Sequence, residues 1–295
     1  MNIIKFSNFV ILMHYFSAII CSEWNYQGLG PDVWIHEFPS CAGKLQSPIN
    51  IETSKAIFDP KLGQIHYHNY DKLLYWNISN NGHTIMISQI GNDSLRPYIT
   101  GSDFEPRSKY YLTQLHFHWG FNIYQGSEHH VNGQKFPLEV HLVHVSDTNK
   151  TSVLAFLFQI SEKNNSNISG LIDKVGLDVD EKDFDLASFQ LNSIIPDEGN
   201  LKTDGFYRYL GSLTTPPCTE GVKWTIFRTK INISENQIKE FYQNQIIFND
   251  RDVQQLYNRT LKISIMNKNE SNTSTRNVFN YLFIIVFLNF YFLKP

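Results

Sequence analysis

The segment Gln114-Leu115-His116-Phe117-His118-Trp119 constrains this chain more than any other feature. Its polar and apolar residues alternate, and in an extended strand successive side chains point to opposite faces. Gln114, His116 and His118 therefore share one face, while Leu115, Phe117 and Trp119 share the other. Six of the eleven histidines fall between His116 and His144. Glu139-Val140-His141-Leu142-Val143 repeats the pattern, with Glu139, His141 and Val143 on one face. Two imidazoles at i and i+2 stand roughly 6.5–7 Å apart at the backbone, near enough to share one ion at Zn–N bonds of about 2.0–2.1 Å. If the second strand lies beside the first, His141 completes a set of three nitrogens. Three neutral imidazoles suit a zinc ion whose fourth tetrahedral position stays open, which is the catalytic rather than the structural arrangement. Gln114 and Glu139 are placed to orient ligand rings and fix their tautomers. A lone histidine in such a strand reads as an ordinary core or surface residue; two on one face with a third next door, each near a polar orienting group, do not. His144 faces away from His141 and reads as structural.

The surrounding sequence supports a folded, β-rich body. Hydrophobic residues make up 42% of the chain and charged residues only 18%, which excludes intrinsic disorder and low-complexity architectures. Lys and Arg total 25 against 28 Asp and Glu, a formal charge of −3, so no global positive field favours nucleic acid. Runs at 75–78, 84–90, 110–119, 138–145, 153–160 and 222–229 are rich in β-branched and aromatic residues and are bounded by Gly, Asn, Pro or charged clusters, as strands are. Val153-Leu154-Ala155-Phe156-Leu157-Phe158 is apolar on both faces, as a central strand covered on both sides must be. Helical potential is confined to short stretches such as 186–191 and 234–248. No repeat or linker divides residues 23–265, which read as one domain.

Both ends read as processed segments. Residues 1–22 carry one early charge, Lys5, then an apolar run that stops at Cys21-Ser22-Glu23, the pattern of a secretory signal peptide. Cleavage near Cys21 or Ser22 removes one of the three cysteines, and in an oxidising compartment Cys41 and Cys218 become a natural pair. Residues 266–277 form a polar spacer, followed by an apolar tail at 278–295. The apolar part of that tail, 278–293, reaches roughly 24 Å as a helix, short of a hydrocarbon core of about 30 Å. Small residues, a spacer and a terminal apolar tail are the pattern of a lipid (GPI) attachment signal, with the attachment site among residues 269–274; a short single-pass span is the alternative. Secretion gives meaning to the Asn-x-Ser/Thr triplets that begin at Asn77, Asn92, Asn149, Asn164, Asn167, Asn232, Asn258, Asn269 and Asn272.

Several strings occur together that strongly resemble the α-class carbonic anhydrases. They are the Gln114 to Gly120 segment, Gly126-Ser127-Glu128-His129, Glu139 to His144, Trp24-Asn25-Tyr26, Gln46-Ser47-Pro48-Ile49-Asn50-Ile51, Asn81-Gly82-His83, and Gly211-Ser212-Leu213-Thr214-Thr215-Pro216-Pro217 with Trp224. The resemblance covers nearly the whole middle of the chain. With the paired cysteines and the two processed ends, it looks like the secreted, membrane-anchored members. It implies a mainly β (α+β) single domain with a central, mostly antiparallel ten-stranded twisted sheet flanked by short helices. It also implies the reversible hydration of carbon dioxide to bicarbonate by attack of zinc-bound hydroxide, with His116, His118 and His141 as the zinc ligands.

The same resemblance assigns further roles. Thr214 would accept a hydrogen bond from the hydroxide and donate its own to Glu128, and His83 would shuttle the released proton. Tyr26 and Asn81 match polar positions that support a water chain. Gln114 and Thr215 belong to the pocket, and Val143, Val153, Leu213 and Trp224 match its apolar wall. Met86 and His130 depart from the family's usual residues, and they bear on rate and inhibitor affinity rather than on reaction class. Partners are therefore a small neutral substrate and, through the lipid anchor, the outer leaflet of a membrane, with no nucleic acid. The rival reading is a catalytically silent domain of the same fold acting as a receptor or binding surface; such relatives lose ligand histidines, which this chain keeps.

Overall fold

The computed structural model describes residues 24–91, 93–176 and 184–265. The expected signal peptide, polar spacer and apolar tail lie outside the described residues, as do the triplets at Asn92, Asn269 and Asn272. Ten strands form one continuous hydrogen-bonded path. In chain order they are β1 (Ile57–Phe58), β2 (Leu73–Asn80), β3 (Ile85–Ile90), β4 (Tyr110–Trp119), β5 (Leu138–Ser146), β6 (Thr151–Ser161), β7 (Phe184–Gln190), β8 (Phe206–Ser212), β9 (Glu220–Phe227) and β10 (Lys262–Ile263). Across the sheet they run β7-β2-β3-β4-β5-β6-β9-β8-β10-β1.

Most neighbours on this path are antiparallel, but β6 with β9 and β10 with β1 are parallel. Three further short strands bring the sheet to thirteen. Ile231–Ser234 runs parallel to β6, and the antiparallel pair Ile65–His68 and Tyr98–Gly101 joins β4. The sheet is thus mixed and larger than the expected ten strands, because short segments extend it beside the main path. A separate parallel pair joins Asn50–Ile51 to His130–Val131.

Strand β6 shows why a doubly apolar run must sit in the middle. Leu154, Phe156 and Phe158 enter the large core on one side of the sheet, while Val153, Ala155 and Leu157 enter the smaller core on the other. All six are buried, so each residue of the run has a dry partner surface. Strand β4 divides differently: Leu115, Phe117 and Trp119 fill the large core, which leaves its histidine face to the opposite side.

The helices are short: Trp34–Glu37, Ser166–Ile172, Glu198–Asp204 and Glu235–Lys239 among the described residues. Two helical expectations need correction. Residues 186–191 fall almost wholly within β7, paired antiparallel with β2, and Trp76 donates its indole N–H to the Phe189 carbonyl at 3.0 Å. Pairing to an otherwise open sheet edge outweighs local helix propensity there. Over 234–248 only the start is helical. A capping box between Ser234 and Gln237 begins Glu235–Lys239, and a 3₁₀ turn at Glu240–Tyr242 follows.

Candidate metal centre

Strands β4 and β5 are antiparallel neighbours, with His116 directly opposite His141 and His118 opposite Glu139. Residues opposite one another project to the same face, so the pairing that the strand pattern left conditional is met. One potential ligand atom from each of His116, His118 and His141 lies within 4.8 Å of the others.

Each imidazole uses one ring nitrogen to fix itself. His116 Nδ1 pairs with Gln114 Oε1 at 2.8 Å, His118 Nδ1 with the Asn249 carbonyl at 2.7 Å, and His141 Nε2 with Glu139 Oε1 at 2.7 Å. The acceptors put the proton on those nitrogens. That leaves Nε2 of His116, Nε2 of His118 and Nδ1 of His141 as lone-pair donors. His118 Nε2 is buried and makes no hydrogen bond. Burial, then mutual repulsion, holds His116 well below the usual imidazole pKa. Burial likewise takes His118 down to about 3 and lowers His141, so all three rings are neutral at pH 7.

Two carboxylates complete the surroundings. Burial pushes Glu139 up, but the His129 and His141 imidazoles more than offset this, and its carboxyl rests well below the ordinary range. Glu128 is held well above that range by burial and then by the charge of Glu139, against the lowering effects of the Arg251 N–H and the Thr214 hydroxyl. Its Oε1 accepts from Arg251 N at 3.0 Å, and its Oε2 stands 3.4 Å from His118 Nε2 and 3.8 Å from His141 Nδ1. Three neutral nitrogen donors, one of them buried without a partner, beside buried carboxyl groups are a donor set suited to a divalent cation such as zinc.

Thr214 is buried beside Glu128 and Thr215 is half-buried after it. Val153 and Trp224 are buried in the smaller core, with Val143 and Leu213 packed against it, and the Trp224 ring lies 4.8 Å from that of His141. Cys41 and Cys218 form a disulfide in a third cluster that contains Tyr26 and Trp34. Burial, and then the Glu128 charge, raises the Tyr26 phenol far above its usual pKa.

His83 is half-buried, stacked on Trp24 with ring centroids 3.8 Å apart, and its Nδ1 is buried without a partner. Burial lowers its pKa. The Asn81 carboxamide oxygen is taken up by the turn, accepting from His83 N at 3.0 Å and Thr84 N at 2.9 Å. Met86 is half-buried on β3 directly opposite His116. His130 pairs with Asn50 in the separate two-stranded sheet, and burial lowers its pKa.

Several contributors were not singled out by sequence reasoning. Asn249 is completely buried; besides holding His118, it accepts the Trp119 N–H at 2.7 Å and donates to the His83 and Phe117 carbonyls at 3.0 and 2.8 Å. His129 bridges Glu139 and the Tyr209 hydroxyl, at 2.7 Å to each, and Tyr209 reaches Ser47 Oγ at 2.8 Å. His129 and Ser47 lie inside the quoted strings, but Asn249 carries no local signal at all.

A family description, eukaryotic-type carbonic anhydrase, matches residues 29–265. The chain is 35% identical over 229 residues to carbonic anhydrase 4 of Oryctolagus cuniculus, across 74% of this chain and 71% of that protein. It is 32% identical over 260 residues to carbonic anhydrase 6 of Mus musculus, across 81% and 78%. With carbonic anhydrase 12 of Homo sapiens the identity is 34% over 235 residues, across 74% and 62%.

Proposed function

The chain belongs to the eukaryotic-type carbonic anhydrases, and from that premise we propose that it hydrates carbon dioxide reversibly at the outer cell surface, with zinc held by His116, His118 and His141. The supporting observation is the division of labour in the triad: one nitrogen of each ring is fixed by Gln114, Asn249 or Glu139, and the other is left to converge. Bound zinc supplies a Lewis acid that lets a water ionise near neutral pH, as is established for carbonic anhydrases themselves.

The chain's own residues do the rest. Thr214 directs its proton toward Glu128, which keeps the hydroxyl's lone pairs for a donor on the metal side and selects the orientation of the attacking oxygen. Val143, Val153, Leu213 and Trp224 offer carbon dioxide an apolar wall, and orientation then comes from Thr214 rather than from tight binding. Gln114 and Glu139 hold ligand tautomers, and Tyr26, Asn81 and Thr215 border the polar side.

His83 takes the product proton to solvent. Burial lowers its pKa, which makes the ring a weaker base that is neutral at pH 7 and gives an accepted proton up readily to buffer. His83→Ala therefore slows turnover in weak buffer by about tenfold or more, and added imidazole buffer restores part of the loss in stopped-flow hydration. Unchanged turnover in weak buffer removes His83 from this role.

Placement outside the cell is supported by the apolar leader at 1–22, the disulfide and the spacer-plus-tail pattern at 266–295. Among the described residues no helix is long and apolar enough to cross a membrane. Cells expressing the full chain should show chelator-sensitive surface hydration that moves to the medium on treatment with a phosphatidylinositol-cleaving phospholipase. Activity retained on the cells favours a spanning segment. A folded, zinc-loaded protein with only the background hydration rate would leave the silent binding-domain reading instead.

A further inference from the structure

The metal-bearing face of the sheet continues beyond the site into an exposed apolar area with an unusual centre. Met86 lies opposite His116 on one side and Ser79 on the other, so Ser79 and, by strand alternation, Asn77, Tyr75 and Leu73 share the face of the imidazoles. Asn77 stands between Ser88 on β3 and Leu186 on β7, and Tyr75 lies opposite Ile90. Tyr75 is 68% exposed, Leu73 65%, Leu186 55% and Ile90 41%. These four make an apolar patch at the β7 edge, where an open sheet invites pairing with other chains.

Asn77 opens the triplet Asn77-Ile78-Ser79. Its side chain is on the solvent-facing side of β2, between buried Trp76 and Ile78. Its carboxamide is engaged in no hydrogen bond among the described residues, whereas the Asn232 carboxamide oxygen accepts from Gln159 and that of Asn164 accepts from Ser234. Asn77 is half-buried, whereas Asn149, Asn167 and Asn258 are exposed but lie in turns or at a helix start rather than amid apolar residues.

We propose that Asn77 carries an N-linked glycan whose first sugars lie over Tyr75 and Leu186 and cover this patch. The inference rests on the secreted reading given above. Asn77 Nδ2 bonds to the anomeric carbon of a lipid-pyrophosphate-linked oligosaccharide. The bond from that carbon to the pyrophosphate oxygen breaks, the lipid pyrophosphate leaves with the electron pair, and one amide proton is lost. Directly opposite side chains are about 4.5–5.5 Å apart at Cβ, which brings Leu186 within reach of the first ring, and Tyr75 lies one same-face step away. Sugar C–H faces then meet apolar side chains that otherwise face water. Two strands and two residues separate Asn77 from His116, roughly 12 Å in a flat sheet, so the glycan borders the approach to the metal centre without occupying it.

The full chain is expressed in a secreting eukaryotic cell, treated with peptide N-glycosidase, which converts occupied Asn to Asp, and mapped by peptide mass spectrometry. Asp is expected at position 77, and both Asn77→Gln and Ser79→Ala lose one glycan-sized step in gel mobility. Asn at 77 with Asp at another triplet overturns this proposal and leaves secretion standing; Asn at every triplet overturns both. The glycan-free variants should bind more apolar dye and self-associate, and adding Tyr75→Ser and Leu186→Ser should reverse this while hydration stays unchanged. Dye binding and association unaltered by loss of the glycan would overturn the covering role.

Discussion

Replacing His118 with alanine abolishes zinc retention and takes carbon dioxide hydration down to the background rate. His118 is 1% exposed, and its Nε2 has no hydrogen-bond partner among the described residues, so its lone pair is left for a metal ion. Two imidazoles remain, one short of the set that a catalytic zinc needs. The variant also strips the Asn249 carbonyl of its donor, at a cost of about 1–3 kcal/mol for the unsatisfied buried group. The domain should survive that loss, because Asn249 keeps its bonds to Trp119, Phe117 and His83. Changing the orienting group instead gives a graded effect: Glu139→Gln keeps all three ligands but lowers zinc affinity about 10–100-fold. Metal analysis with stopped-flow hydration of both variants reads the contrast. Full zinc content and full activity in His118→Ala would remove His118 from the ligand set.

The contrast also marks what the sequence makes legible. Strand alternation alone places Gln114, His116 and His118 on one face, because that periodicity is local and the buried partners Leu115, Phe117 and Trp119 enforce it. The same holds for Glu139 and His141, and for the doubly apolar run in β6. What joins the two strands is not local. His118 meets the Asn249 carbonyl 131 residues away, and His129 meets Tyr209 80 residues away; no spacing rule reaches across such distances. The 186–191 stretch fails for a related reason, since its extended state is imposed by pairing with β2 rather than by its own residues. The short strands at one end of the path, Lys262–Ile263 and Ile57–Phe58, carry only two residues each and so leave no periodicity to read.

Removing the disulfide as Cys41→Ser with Cys218→Ser should cost much stability and little chemistry. The bridge spans 177 residues, for which the chain-entropy model gives an upper figure of about 5 kcal/mol, and native bridges typically contribute 2–5 kcal/mol. A loss of about 3 kcal/mol lowers the melting temperature of a domain this size by roughly 6–12 °C. Cys218 lies four residues after Thr214, and the competing consequence is a loosening of the loop that positions the hydroxyl. The surrounding bonds argue against it. Gln46 Nε2 donates to the Cys218 carbonyl at 3.2 Å and to the Ser40 carbonyl at 2.9 Å, Arg251 Nη2 donates to the Cys41 carbonyl at 3.3 Å, and Ser47 and Ser212 exchange bonds at 2.9 and 3.1 Å. These contacts hold the Thr214 loop to the segment around Cys41 without the bridge. The cross-link therefore acts chiefly by restricting the unfolded chain, and hydration at 25 °C should stay within a few-fold of the parent. Denaturant midpoints measured beside kcat separate the two effects. A large fall in kcat with an unchanged midpoint would place the bridge's contribution in loop geometry instead.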